Sequence, residues 1–123
     1  MLSLPVLLPR LAVILFWPAL ALIVWGELTP QPPDVLPGTP DKLLHFTAYF
    51  GLAALATIAL GKPRAVLIAV LSLVALGGTL EILQRFTGRD AEWLDEAANS
   101  LGVVLGAVAS LGLLRLVGRA RSD

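Results

Sequence analysis

The sequence has no cysteine, a single histidine and few charged residues for its length. Without cysteine the chain cannot contain disulfides, thiolate metal sites or a cysteine nucleophile. Its nine Lys and Arg balance nine Asp and Glu, so the formal net charge is zero. That balance argues against a nucleic-acid partner held by bulk electrostatics. Only 15% of the 123 residues are charged, against roughly a quarter in a soluble domain.

The sequence is instead rich in long apolar runs. Hydrophobic residues make up 57% of it, and uncharged runs cover residues 11–26, 43–60, 65–80 and 97–114. With its flanks, each run has the roughly 17–25 residues that a helix needs to cross a membrane. Runs of this kind without strand alternation are helices. We therefore predict an all-α membrane protein, a bundle of four transmembrane helices in one domain over residues 1–123. The predicted spans are approximately 8–26, 41–60, 65–84 and 95–117, with outer loops at 27–40 and 85–94.

The first apolar run has an alternative interpretation as a cleaved signal peptide. The small residues ALA at 19–21 are of the kind found at cleavage sites. However, the run continues through LIVW beyond that point, and Trp25 suits an interfacial anchor. We therefore favour a retained span, with a kink expected at Pro18.

The basic residues predict an orientation in the membrane. Six of them fall at one end of the four predicted spans: Arg10, Lys62, Arg64, Arg115, Arg119 and Arg121. Three fall at the other end, with eight of the nine acids: Lys42, Arg85 and Arg89. By the positive-inside rule both termini are cytoplasmic, and the acid-rich end faces outward.

Three polar residues are predicted to reach one depth near the outer surface. His45 lies about one helical turn below the boundary set by Lys42. Glu81 follows Arg64 by seventeen residues, which is roughly 25 Å along a helix that starts at the inner face. Asn99 lies in the first turns of the last span, which starts at the outer face. The three counts are independent, so they predict a single polar cluster.

Helical spacing predicts which of these residues share a face. The shared faces hold Asp41, His45 and Tyr49 on the second span, Glu81 and Gln84 on the third, and Asp95, Asn99, Gly102 and Gly106 on the fourth. The two glycines form a GxxxG pattern, which lets a helix approach closely, within the chain or from a second copy. A carboxylate facing lipid costs about 2.5 kcal/mol or more. We therefore expect a partner for Glu81 among Lys42, His45, Arg85 and Arg89.

The stretches DKLLHFTAYFGLA and EILQRFTGRDAEWLDEAANSLGVVLG resemble the VanZ-like family of small bacterial membrane proteins. The shared pattern is Asp-Lys, then His and an aromatic pair, then Glu-x-x-Gln, Gly-Arg and Asp-x-x-x-Asn-x-x-Gly-x-x-x-Gly. It falls on Asp41, Lys42, His45, Phe46, Phe50, Glu81, Gln84, Gly88, Arg89, Asp95, Asn99, Gly102 and Gly106. The resemblance covers residues 41 to 110. It departs from the family in the loop, where DAEWL stands in place of a Ser or Thr between the Arg and the Asp.

The resemblance implies a multi-pass protein of the bacterial cytoplasmic (inner) membrane, associated with resistance to teicoplanin-type glycopeptide antibiotics. It implies no defined reaction. With the polar cluster, it leads to the hypothesis that the outer face binds an anionic lipid or the headgroup of a lipid-linked cell-wall precursor. The residues expected to bind this ligand are Lys42, His45, Glu81, Gln84, Arg89, Asp95 and Asn99.

Two other functions stay open. In a membrane enzyme acting on such a headgroup, the catalytic candidates are His45, Glu81 and Asp41, with His45 as general acid or base. Arg89 would then stabilise developing negative charge. In a structural or accessory protein, the same cluster would only fix the bundle and help it to pair with a partner.

The expected partners are membrane lipids, and a homodimer through Gly102 and Gly106 is an option. Four residues could offer donors to a hard or borderline metal: Asp41, His45, Glu81 and Asp95. Because the chain has one imidazole and no thiolate, we expect no metal. We expect no cofactor either, since the sequence contains no phosphate-binding loop.

Overall fold

The computed structural model describes residues 4–34 and 36–119, and it is helical throughout apart from the links between helices. The helices are α1 (Leu4–Leu28), α2 (Asp41–Leu60), α3 (Pro63–Gln84) and α4 (Trp93–Arg119). All four are long and apolar enough to cross a membrane. The predicted all-α class with four membrane-length helices is therefore confirmed for the described residues. Arg121, one of the basic residues used to predict the orientation, lies outside them.

The helices begin and end where the sequence has turn residues. The link from α1 to α2 carries five prolines between residues 29 and 40, which prevent a continuous helix. At the end of α2, Gly61 adopts a left-handed conformation with φ of 65°, and its amide donates to the Thr57 carbonyl at 2.9 Å. Pro63 then occupies the first turn of α3, where its missing N–H costs nothing. By contrast, α1 runs through Pro9 and Pro18 as one helix.

The second helix is the centre of the bundle. It contacts α1, α3 and α4, and its contact with α4 is the most extensive. The buried core consists of Tyr49, Leu52 and Ala53 on α2, with Leu73 on α3 and Val103 on α4. Large apolar side chains elsewhere on the helices point outward, which is compatible with a lipid-facing surface. Because α2 touches every other helix, a polar residue on it can meet partners from all three.

The close contact between α2 and α4 depends on two glycines. A Cβ added at Gly102 would overlap the Phe46 carbonyl oxygen and lie 3.0 Å from the Phe50 amide nitrogen. At Gly106 it would overlap the Phe50 carbonyl oxygen. The GxxxG face of α4 therefore packs on the backbone of α2 in the same chain. A homodimer through these glycines would require α2 to leave that face.

Candidate functional site

Buried polar side chains from all four helices meet at one end of the bundle, where α1 and α3 end and α2 and α4 begin. We call this the polar end. Its side chains that are at most 7% exposed are Glu27, His45, Glu81, Gln84, Asp95 and Asn99. Five of the six were predicted to bind a ligand. Glu27, at the end of α1, was not.

His45 and Asn99 form the centre of this cluster. The His45 Nδ1 atom lies 3.1 Å from the Asn99 carbonyl oxygen Oδ1, and Asn99 is fully buried. Since that oxygen can only accept, Nδ1 carries the proton and donates it. Nδ1 is also 3.8 Å from a Glu27 carboxylate oxygen, and Nε2 is 3.7 Å from a carboxylate oxygen of Asp41. In a neutral ring, the lone pair on Nε2 is therefore free on the side of Asp41.

Glu81 has a different partner from those expected. One of its carboxylate oxygens, Oε1, accepts a hydrogen bond from the backbone amide of Glu92 in the link before α4. Its other oxygen is buried without a hydrogen-bond partner among the described residues. None of the four expected cations lies within ion-pair distance of Glu81 in the described part of the chain. The prediction of a cationic partner was therefore wrong, because the loop backbone supplies the donor.

Lys42 joins the start of α2 to the start of α4. Its ammonium group donates to Glu92 at 2.7 Å and lies 3.3 Å from Oδ1 of Asp95. The Glu92 side chain is exposed and the Asp95 side chain is buried. Lys42 thus has two carboxylate partners within the protein, which reduces its availability for a ligand.

The hydrogen bond from Lys42 gives Glu92 a pH-dependent role in stability. It holds the pKa of the Glu92 carboxyl below its ordinary value of 4.5. The pair therefore stabilises the folded protein above pH 4.5, and this contribution is lost as the pH falls through the lowered pKa. We expect wild type to have a slightly higher Tm than Glu92→Gln above about pH 5 and an equal Tm at about pH 2. A Tm difference that is the same at both pH values would contradict the ion pair.

Arg89 fixes the end of α1 to the link between α3 and α4. Its Nη1 atom donates to the carbonyl oxygens of Gly26 and Glu27, each at 3.1 Å. These carbonyls belong to the last turn of α1, which has no further helical amides to accept from. No carboxylate lies within ion-pair distance of Arg89 among the described residues. The guanidinium is thus held in place by neutral groups, without a carboxylate counter-ion among the described residues.

An open groove of about 210 Å³ lies between α1 and α2 at the polar end. Its polar lining consists of Glu27, Asp41, His45 and Arg89. The remaining lining is largely apolar and includes Ile23 and Ala48, each about one turn deeper in the bundle than the polar residues of its own helix. Lys42, Glu81, Gln84, Asp95 and Asn99 do not line the groove. The structure therefore divides the predicted ligand-binding residues into groove residues and supporting residues.

Several buried polar atoms at the polar end have no hydrogen-bond partner in the described part of the chain. They are Glu27 Oε2, the Tyr49 hydroxyl, Glu81 Oε2, Gln84 Nε2, Asp95 Oδ1, Glu96 Oε2 and Asn99 Nδ2. Of these, Asp95 Oδ1 still faces Lys42, and the Tyr49 hydroxyl lies near Glu27 without hydrogen-bonding geometry. Each unpaired atom costs about 1–3 kcal/mol. Each of these atoms therefore calls for a partner from water or from a ligand.

Two acids of this cluster, Glu27 and Glu96, were missed by sequence reasoning. Glu96 lies against α3: a Cβ added at Gly77 would be only 2.6 Å from its carboxylate oxygen Oε2. The spacing of Gly77, Glu81 and Gln84 by four and three residues was an available signal. This spacing places Gly77, which has no side chain, on the same face of α3 as the polar side chains of Glu81 and Gln84. All three residues are buried.

Three of the metal donors considered from the sequence do come together. Asp41, His45 and Asp95 each offer a ligand atom within 4.8 Å of the others. The ammonium of Lys42, 3.3 Å from Asp95, already supplies a positive charge to this trio. A metal ion would have to bind against that charge, so the geometry does not favour one.

Comparisons with protein-family models, with curated proteins and with solved structures gave no match. The resemblance to the VanZ-like family therefore depends on the quoted motifs alone.

Proposed function

We propose that this chain is an integral membrane protein of the bacterial cell envelope whose polar end binds a phosphate-bearing lipid headgroup. The ligand is an anionic lipid or a lipid-linked wall precursor, seated in the groove between α1 and α2. The observation that carries this proposal is the placement of Arg89. Its guanidinium lines the groove, is held by two backbone carbonyls and has no carboxylate within ion-pair distance among the described residues. Arginine suits phosphate because its planar fork matches two phosphate oxygens.

The depth profile of the groove supports an amphiphilic ligand. Charged and polar side chains lie at the level of the helix ends, and Ile23 and Ala48 lie about one turn deeper. A lipid presents the same order of chemistry, with its headgroup at the interface and its acyl chains below. The headgroup would therefore contact the polar residues of the groove, and the acyl chains would contact its apolar residues.

The cellular placement is part of the same proposal. The excess of Lys and Arg at the opposite end of the bundle favours cytoplasmic termini and an outward polar end in the bacterial inner membrane. The VanZ-like resemblance associates this setting with teicoplanin-type resistance. A site for a wall-precursor lipid at the outer surface is compatible with that association.

A second candidate function is catalysis on the bound headgroup. The observation that favours it is the hydrogen bond between His45 and Asn99, which fixes the proton on Nδ1. Nε2 is then directed toward Asp41 at the groove, where it could accept a proton from a substrate hydroxyl. Arg89 would stabilise the negative charge that develops on phosphate.

Native mass spectrometry of protein extracted from bacterial membranes tests the binding proposal. We expect wild type to retain a phosphate-bearing lipid and Arg89→Ala to lose it by about tenfold or more, as when a charged hydrogen bond is removed. His45→Gln, which keeps a polar side chain of similar reach, should weaken retention less. The matched control is Arg85→Ala, because Arg85 is an exposed cation at the same end and does not line the groove.

Two results would overturn the proposal. One is the absence of any specific lipid on folded wild-type protein. The other is equal loss of lipid from the Arg85 and Arg89 variants, which would indicate general charge attraction. Because Arg89 also fixes α1, Arg89→Lys is needed alongside: it keeps the charge but loses the paired donors. If wild type converts the retained lipid and His45→Gln does not, catalysis is the function.

A further inference from the structure

The charges that line the groove do not match a purely anionic ligand. Arg89 contributes one positive charge, while Glu27 and Asp41 contribute two carboxylates on either side of His45. A headgroup with only negative charge would be attracted by Arg89 and repelled by both carboxylates. Because Glu27 is buried, solvent and salt screen its repulsion much less than that of the exposed Asp41. The groove therefore has one place for an anion and one for a cation.

Among the groups that line the groove, Glu27 gives the most information about the ligand. Its side chain is nine-tenths buried and belongs to the groove, and its Oε2 atom has no hydrogen-bond partner among the described residues. Its Oε1 atom is 3.8 Å from His45 Nδ1, beyond hydrogen-bonding range, and that nitrogen already donates to Asn99. A buried carboxylate oxygen without a partner, as Oε2 of Glu27 is, is costly unless a donor comes from outside the chain.

Asp41 provides a second acceptor at the same place. It lies in the first turn of α2, is exposed, and approaches His45 Nε2 to 3.7 Å. Glu27 and Asp41 thus approach opposite nitrogens of one imidazole, and both face the groove. The groove thus presents carboxylate acceptors on both sides of His45.

From this arrangement we propose that the bound headgroup carries a primary ammonium group beside its phosphate, as a phosphoethanolamine lipid does. The proposal rests on the proposed binding of a phosphate-bearing headgroup, and it replaces a net-anionic lipid with a zwitterionic one. Arg89 binds the phosphate, and Glu27 and Asp41 accept hydrogen bonds from the ammonium. A primary ammonium has three N–H donors, enough for both carboxylates. A trimethylammonium group has none, and a glycerol headgroup has no positive charge.

The test compares three phospholipids with identical acyl chains and different headgroups: phosphatidylethanolamine, phosphatidylcholine and phosphatidylglycerol. Each is titrated into delipidated full-length protein, and the bound fraction is measured by native mass spectrometry. We expect wild type to prefer the ethanolamine lipid over both others by about tenfold, the size of one charged hydrogen bond. Glu27→Gln and Asp41→Asn should each reduce that preference, and both should bind the glycerol lipid at least as well as wild type.

Asp41→Asn keeps the test decisive if Glu27→Gln fails to fold. Asp41 is exposed, so its replacement leaves the buried cluster unchanged. Arg85→Ala, which does not line the groove, should keep the wild-type preference.

The outcomes separate this inference from the proposed function. If wild type binds the glycerol lipid as tightly as the ethanolamine lipid, the inference fails and phosphate binding stands. If both carboxylate variants keep the full preference for ethanolamine, the carboxylates do not recognise the amine and the inference also fails. If folded wild type binds none of the three phospholipids and retains no lipid from the membrane, the proposed function itself fails.

Discussion

Gly102→Ala is expected to destabilise the bundle by about 1–3 kcal/mol, the usual cost of forcing a methyl group into a packed interface. The added Cβ would overlap the carbonyl oxygen of Phe46 and press on the amide of Phe50. Both are backbone atoms of α2, so they cannot rotate away as a side chain could. The two helices would have to separate, and with them His45 on α2 and Asn99 on α4.

Gly112→Ala is the matched control, because Gly112 lies on the same helix with nothing within 4 Å of the added atom. Alanine is the better helix former by about 1 kcal/mol, so this variant should be neutral or more stable than wild type. Gly106→Ala should behave like Gly102→Ala, since it meets the Phe50 carbonyl. Reversible unfolding in mixed micelles measures all three.

The same variants distinguish the two roles of a GxxxG pattern. If Gly102→Ala is as stable as Gly112→Ala but changes the oligomeric state, the glycines face a second copy and the contact with α2 is wrong. If it loses stability and stays in the same oligomeric state, the packing is within the chain. The second result would exclude a homodimer that packs through these two glycines.

The meeting of His45 and Asn99 could be predicted from the sequence because helices in a membrane have few free parameters. The rise per residue is fixed, and the apolar run determines where each helix enters the membrane. Counting residues from the charged end of a predicted span therefore gives the depth of each side chain in the membrane to within one helical turn. The 3.1 Å contact between the two side chains follows from that depth and from their positions on packing faces.

Other parts of the site could not be predicted because depth does not determine rotation about the helix axis. Glu27 is the only acid on α1, so no second polar residue at helical spacing showed which way it points. The partner of Glu81 is a backbone amide of Glu92, and the path of a loop cannot be read from residue types. Arg89 was expected to bind a ligand. Its hydrogen bonds to the carbonyl oxygens at the end of α1 depend on tertiary structure, so they could not be predicted either.

Tyr49 should show opposite effects for two substitutions. Its side chain is fully buried in the core beside Leu52 and Leu73. Tyr49→Ala should therefore cost about 3–5 kcal/mol, as deletions of buried rings do. Tyr49→Phe keeps the ring and removes a hydroxyl that has no hydrogen-bond partner among the described residues. Since an unpaired buried hydroxyl is itself destabilising, Tyr49→Phe should be at least as stable as wild type.

The Tyr49→Phe result also bears on the ligand. The hydroxyl lies next to Glu27, so a loss of more than about 1 kcal/mol would mean that the two side chains are hydrogen-bonded. Glu27 would then have a partner inside the protein, and the need for an ammonium donor would be reduced. Unfolding of Tyr49→Phe in the wild-type and Glu27→Gln backgrounds decides this, because a hydrogen bond gives a coupling between the two changes. Additive effects would leave Glu27 unpaired and directed to the groove, as the recognition of a headgroup amine requires.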